Sequence, residues 1–174
     1  SDIGGNFSNF SKKSLLNLVS NEEFNPSIRN ATEEIVTING GIVEGQIIGG
    51  NLSLLVSTLG TPYEVDTKGK ILFIEEIGEY TYKIDRMFTQ LILSKKFEDA
   101  EGIILGNFNS CKPEHEGDFT LKEIVDQLVK PLNKPTIFNL QAGHCEPVVT
   151  LPFGVDVRLD ATKCEVVILE QPTL

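Results

Sequence analysis

Ile71-Leu72-Phe73-Ile74-Glu75-Glu76 is an unbroken apolar run that ends in two acids, and its reading decides the fold. An apolar run of this kind predicts a strand covered on both faces, as in a parallel sheet. Just beyond it, Tyr80, Ile84, Phe88, Leu91 and Ile92 fall on one face of a helix predicted over Tyr80 to Ser94. Lys95-Lys96 suits the C-terminal dipole of that helix. A second buried strand follows at Gly102 to Leu105. Next come a helix over Leu121 to Leu132, closed by Pro131, and a strand at Thr136 to Asn139. Strand, helix, strand, helix, strand demands parallel strands joined by crossovers.

Outward from this middle, the pattern changes. Residues 1 to 10 are rich in Gly, Ser and Asn and read as a loop, in which Phe7 and Phe10 are expected to pack on something, such as a partner domain. A short helix follows over Lys12 to Val19, and Asn21 to Thr32 is polar. Glu34 to Ile38 reads as a strand ended by the turn Asn39-Gly40-Gly41. Ile42 to Ile48 reads as another strand, stopped by Gly49-Gly50-Asn51, with a helix over Leu52 to Leu59 capped by Asn51. At the other end Val148 to Leu151, Val155 to Leu159 and Cys164 to Leu169 alternate and read as antiparallel strands. The expected fold is mixed α/β, with a parallel sheet, an antiparallel sheet and helices on one side.

Composition narrows the function classes. A chain of 174 residues is long enough for one domain with a sizeable core. A net charge of −10 argues against nucleic acid or an anionic membrane as partner, since both call for a basic surface. No apolar run approaches the roughly 18 residues of a membrane span. The opening Ser1-Asp2-Ile3-Gly4-Gly5-Asn6 has no signal-peptide character and no initiator Met, so a fragment or processed chain is expected. Cys111, Cys145 and Cys164 are odd in number and widely spaced, which fits free thiols in a reducing cytosol. A cytoplasmic location is expected.

The chemistry concentrates in Gln141-Ala142-Gly143-His144-Cys145-Glu146-Pro147, followed by Thr150-Leu151-Pro152-Phe153-Gly154. A histidine on a glycine-flanked loop can serve as a general base, its unperturbed pKa being about 6.5. Glu75 stands at a strand end, where parallel sheets bind ligands. Glu76 must point to the opposite side and is expected to be solvated. Each residue also has a plain reading: acids marking a strand end, and a surface-loop histidine. A Cys145–His144 dyad is disfavoured because adjacent side chains point apart. A zinc site from Cys111, His115, His144 and Cys145 lacks paired ligand spacing. Gly49-Gly50-Asn51 at a helix start can bind an anion through free backbone N–H groups, or can simply be a capped turn. Gly40, Gly41 and Gly45 make no dinucleotide fingerprint. There is no Gly-x-Ser-x-Gly elbow, and Ser53 and Ser57 fall inside a predicted helix rather than on a strand-to-helix turn. Beside those plain readings, Glu75 and His144 together suggest two members of a Ser-His-Glu triad whose nucleophile is not found in this sequence.

Five runs together carry a resemblance: Gly45 through Leu55, Gly60-Thr61-Pro62, Ile71 through Met87, Gly102 through Phe108, and Gly143-His144 with Thr150 through Gly154. In order and spacing they resemble the C-terminal domain of the LD-carboxypeptidase serine-peptidase family, which includes muramoyl-tetrapeptide carboxypeptidases and microcin C immunity peptidases. The resemblance implies a swivelling β/β/α domain over residues 33–174, with residues 1–32 as an interdomain segment and the N-terminal nucleophile domain absent. It implies Glu75 and His144 as catalytic residues, Glu76 as the acid that follows, and a serine from the missing domain. The implied substrate is a cytosolic murein tetrapeptide that loses its terminal D-alanine, and the implied partner is the protein's own N-terminal domain. Gly49, Gly50 and Asn51 are candidates for substrate binding. No cofactor or metal is implied, and a homodimer is left open. Alternatives are a microcin-type peptidase acting on a peptidyl-nucleotide amide, a phosphohistidine carrier and a non-catalytic binding module. A Glu75–His144 hydrogen bond would separate the triad from the last two.

Overall fold

The computed structural model describes residues 7–20 and 24–172. Ser1 to Asn6, and with them most of the expected leading loop, lie outside the described residues, as do residues 21–23. The elements run α1 (Asn9–Val19), β1 (Ser27–Ile28), β2 (Val36–Asn39), β3 (Ile42–Asn51), α2 (Leu52–Ser57), β4 (Ile71–Ile77), α3 (Thr81–Leu93), α4 (Lys96–Asp99), β5 (Gly102–Asn109), α5 (Leu121–Ile124), β6 (Thr136–Phe138), β7 (Asp156–Asp160) and β8 (Glu165–Ile168). After α5 the chain widens into one π-helical stretch, Val125–Val129, and tightens again at Lys130–Leu132 around Pro131. Thr120 and Glu123 start this helix with a reciprocal capping box.

The strands form one mixed eight-stranded sheet in the order β1-β8-β7-β3-β4-β5-β6-β2. β3, β4, β5 and β6 are parallel, and β8, β7 and the first half of β3 are antiparallel. β3 joins the two halves. Its residues Ile42 to Gln46 pair with β7 and its residues Ile47 to Asn51 pair with β4. The expected parallel and antiparallel sheets are therefore one surface that curls. Near its far edge Thr37 of β2 donates its hydroxyl to the Ala161 carbonyl just after β7.

Residues of the parallel strands alternate between two cores. Ile71, Phe73, Ile104 and Ile137 face one cluster together with Leu18 of α1, Val157 and Leu159. Leu72, Ile74, Ile103 and Leu105 face the other, under α2, α3, α4 and α5. Ile84, Phe88 and Leu91 of α3 are fully buried against that second face, so the helical spacing in the sequence seats them as expected. Each such buried side chain contributes about 1.5–3 kcal/mol. The helices after β3 lie on one side, while α1 packs on the opposite one. Phe10 also packs there, against the chain's own core rather than another domain. Among the described residues no helix is long and apolar enough to cross a membrane.

Three local expectations are corrected. Gly49 and Gly50 do not stop β3, which continues to Asn51. At Gly49, with φ +134°, the Phe73 carbonyl oxygen occupies the space that a Cβ would need, so only glycine lets the strand approach β4 there. Val148 to Leu151 is not a strand. The Val148 and Thr150 N–H groups donate to the hydroxyls of Ser11 and Ser14, and the Val149 N–H donates to the Gln141 carbonyl, which leaves no ladder to join. The helix at Lys12 starts earlier, at Asn9, because Ser8 caps it by accepting from the Ser11 N–H.

Candidate active site

The site lies at the C-terminal edge of the parallel strands, and β4 delivers both of its acids. Phe73 and Glu75 share one face of β4, and Ile74 and Glu76 share the other. Opposite Glu75 the register slips: Leu105 pairs with Ile74 but Phe108 pairs with Glu76, so Gly106 and Asn107 bulge out of β5. The Asn107 N–H donates to the Ala142 carbonyl at 3.1 Å, which ties this bulge to the loop carrying His144.

Glu75 and His144 meet directly. Glu75 Oε2 lies 2.8 Å from His144 Nδ1 and also accepts the His144 backbone N–H at 3.1 Å. The Glu75 side chain is 5% exposed, whereas the imidazole is 47% exposed. A carboxylate can only accept, so the Nδ1 position carries the proton and Nε2 presents its lone pair. Among the described residues Nε2 makes no hydrogen bond. The backbone is shaped for this contact. Gly143 has φ +103°, and a Cβ there would fall 2.5 Å from Glu75 Cγ and 2.6 Å from Glu75 Oε2. On the far side, Asn109 Nδ2 donates to the His144 carbonyl at 2.8 Å. The arrangement can take up a proton at Nε2 and hold the resulting imidazolium against a buried carboxylate.

Glu76 is not solvated, contrary to the expectation. It is 2% exposed, because α2 and α3 cover that face of the sheet. Its Oε1 accepts from Asn51 Nδ2 and the Ile77 N–H, each at 2.8 Å. Its Oε2 accepts from the Ser53 N–H at 2.9 Å and from the Ser53 hydroxyl at 2.5 Å. Burial raises the carboxyl pKa, but the combined donors from Ser53, Ile77 and Asn51 outweigh it and hold the group below the ordinary carboxylate range. Ser53 stands in the first turn of α2, directly after β3, so it does follow a strand-to-helix junction after all. Its hydroxyl is bonded to Glu76 and has no histidine beside it.

Asn51 pairs with Glu75 across the β3–β4 ladder and caps α2 through the Leu54 N–H, which places Gly49, Gly50 and Asn51 beside the acids. Cys145 turns away from the ring, its thiol donating to the Pro147 carbonyl at 3.5 Å. Burial, and then the charges of Glu146, Glu33 and Glu75, push that thiol up to about 11. His115 is exposed beside Glu114, and among the described residues no cluster of His, Cys, Asp and Glu could hold a metal ion. Asn109, which grips the His144 carbonyl, carries no signal in the sequence. Gly143 carried one, as the glycine directly before the histidine.

Comparison with known proteins shows the family and the fold. Residues 44–159 match the family model of the LD-carboxypeptidase C-terminal domain. A probable murein peptide carboxypeptidase of Bacillus subtilis is 41% identical over 129 residues, covering 74% of this chain and 40% of the relative. The microcin C7 self-immunity protein MccF of Escherichia coli is 31% identical over 134 residues, covering 75% of this chain and 38% of that protein. The crystal structure of a muramoyltetrapeptide carboxypeptidase from Oxalobacter formigenes superposes with a TM-score of 0.77 at 28% identity, covering 93% of this chain and 55% of that one. MccF in complex with glutamyl sulfamoyl guanosine gives 0.72 at 27% identity, covering 81% of this chain and 42% of that one. The chain spans about two fifths of the length of the curated relatives cited here. It carries the C-terminal domain of the LD-carboxypeptidases and belongs to that family.

Proposed function

We propose that this chain supplies the acid–base half of a serine carboxypeptidase, with His144 as general base and Glu75 as its orienting carboxylate. The hydrogen bond of 2.8 Å between Glu75 and His144 Nδ1 carries the reading. In this scheme residues 33–174 form the C-terminal domain, residues 1–32 lead into it, and the protein's own N-terminal domain brings the serine. The Nε2 lone pair takes the hydroxyl proton as the serine attacks the peptide carbonyl. The imidazolium then gives that proton to the departing amine. Water repeats the cycle to free the acyl group. Glu75 keeps the ring in the Nδ1–H tautomer and stabilises its charge. The proposed substrate is a murein tetrapeptide, and the proposed leaving group its terminal D-alanine. The proximity of Gly49, Gly50 and Asn51 to Glu75 supports a substrate-binding role for that segment.

The likeness to MccF supports a second reading, in which the same pair cleaves a peptidyl-nucleotide amide. The family match favours a peptidase over a carrier of phosphohistidine, in which a carboxylate at Nδ1 could orient the ring equally well.

The test uses the full-length polypeptide with murein tetrapeptide and a peptidyl sulfamoyl nucleotide as competing substrates. D-Alanine release is expected from the first. His144→Ala should abolish turnover, and Glu75→Gln should lower it by up to about 10⁴, the cost of losing the acidic member in other triads. Combining them should add little, because triad members act as a unit. Residues 1–174 alone should release no D-alanine. Undiminished turnover in either variant would refute the assignment.

A further inference from the structure

Three hydroxyl-bearing residues of α1 and its cap reach across to the segment that follows His144. Ser11 is fully buried. Its hydroxyl donates to Glu146 Oε1 at 3.1 Å and accepts the Val148 N–H at 2.8 Å. Glu146 Oε1 also accepts the Ser8 N–H at 3.1 Å, and the Ser14 hydroxyl accepts the Thr150 N–H at 2.9 Å. A cavity of about 310 Å³ lies beside these bonds, lined in part by Phe10, Ser14, Leu18, Ile28, Val149 and Thr150. The hydroxyl bonds thus act beside the apolar contact of Leu18, Val149 and Phe10 in holding this seam. From its other sides the His144 loop is held by Glu75, Asn109 and the Asn107 N–H, and at its start by the bonds of Gln141 to Asn30, Ala31 and Thr32.

From this geometry we infer that Ser11 is a positioning residue for His144: its buried hydroxyl bridges Glu146 and the Val148 amide and so sets where the loop presents the imidazole to Glu75. Ser11 touches neither the ring nor the reacting atoms. It acts through Glu146 and Val148, two and four positions beyond His144. The loss of its hydroxyl leaves the Val148 N–H without its partner and removes one of the two bonds at Glu146 Oε1, the Ser8 N–H keeping the other. A displacement of about 1 Å at a reacting group can cost about 10²-fold in rate.

This inference rests on the proposed role of His144, and its test has a readout independent of that role. In the full-length protein, ring-nitrogen NMR correlations, assigned with His144→Ala, report the His144 tautomer directly. The parent protein should show the Nδ1–H form alone, and Ser11→Ala should show a mixture with the Nε2–H form. On murein tetrapeptide, Ser11→Ala should lower kcat between about tenfold and 100-fold with KM unchanged. Ser14→Ala is the matched control. It removes a like bond further along the same seam and should lower the melting temperature comparably, yet keep the tautomer and most of kcat. If Ser11→Ala and Ser14→Ala behave alike in tautomer and kcat, Ser11 is merely structural and the inference fails. Should Ser11→Ala not fold, Glu146→Ala at an exposed position gives the same answer, since a spectrum identical to the parent would overturn the inference. A protein without carboxypeptidase activity but with the Ser11-dependent tautomer change would refute the function and leave the positioning intact.

Discussion

Cys145 adjoins the proposed base, yet its own chemistry is suppressed. Burial first, and then Glu146, Glu33 and Glu75, push its thiol up to about 11, so at pH 7 only roughly one molecule in ten thousand carries the reactive thiolate. Cys145→Ser is expected to keep turnover within about twofold. Alkylation of Cys145 by iodoacetamide at neutral pH should run far slower than that of a free peptide thiol. Rapid alkylation, or a lost activity in Cys145→Ser, would reopen the thiol as a nucleophile. Glu75 shows the opposite use of burial. With one oxygen it accepts both the backbone and the ring of His144. The position of the residue and the direction of its ring are thereby set by a single atom.

At the scale of the element, Glu76 fastens α2 to the end of β4. It reaches Asn51, the last residue of β3, and Ser53, in the first turn of the helix, so three elements converge on one carboxylate. Its pKa is depressed in the folded protein, so the native state takes up this proton less readily than the unfolded chain. The stability it contributes is therefore full above the ordinary carboxylate value of about 4.3 and fades as pH falls through the depressed one. Glu76→Gln should remove that part of the acid dependence. At pH 7 it should cost about 1–3 kcal/mol, since an amide N–H₂ would face the donors of Ser53. Denaturant melts of both proteins from pH 7 down to pH 2 would measure this, and parallel curves would refute it. The sequence made β4, α3 and β5 legible because their patterns are local. The 148–151 segment was misread as a strand because its partners, Ser11 and Ser14, lie 137 and 136 residues away. Glu76 was misread as solvated because the helix that covers it could not be placed from the run itself. Gly49-Gly50 looked like a stop because nothing local shows the Phe73 carbonyl against which Gly49 presses.

In the whole molecule, the parallel order of the middle and the antiparallel character of the end were legible, and so was the strand-end placement of Glu75. The Gly143-His144 pair marked the other half of the site. Their pairing was expected, but the means of it was not legible: the bulge in β5 and the grip of Asn109 both arise from contacts between distant segments. The two kinds of sheet are not separable modules. Both draw their hydrogen bonds from β3, whose ten residues serve β7 with one end and β4 with the other. If either half opened, it would strip one end of this strand and expose Ile47, which is fully buried at the crossover. The amide protons of β3 at Ile47 and beyond should therefore exchange with solvent only when everything unfolds, and those of β4 and β7 should share a single exchange free energy. Two distinct exchange classes for β4 and β7 would count against this. A joint of this kind makes the domain melt as one body, so mechanical strain applied at either edge of the sheet is felt at both.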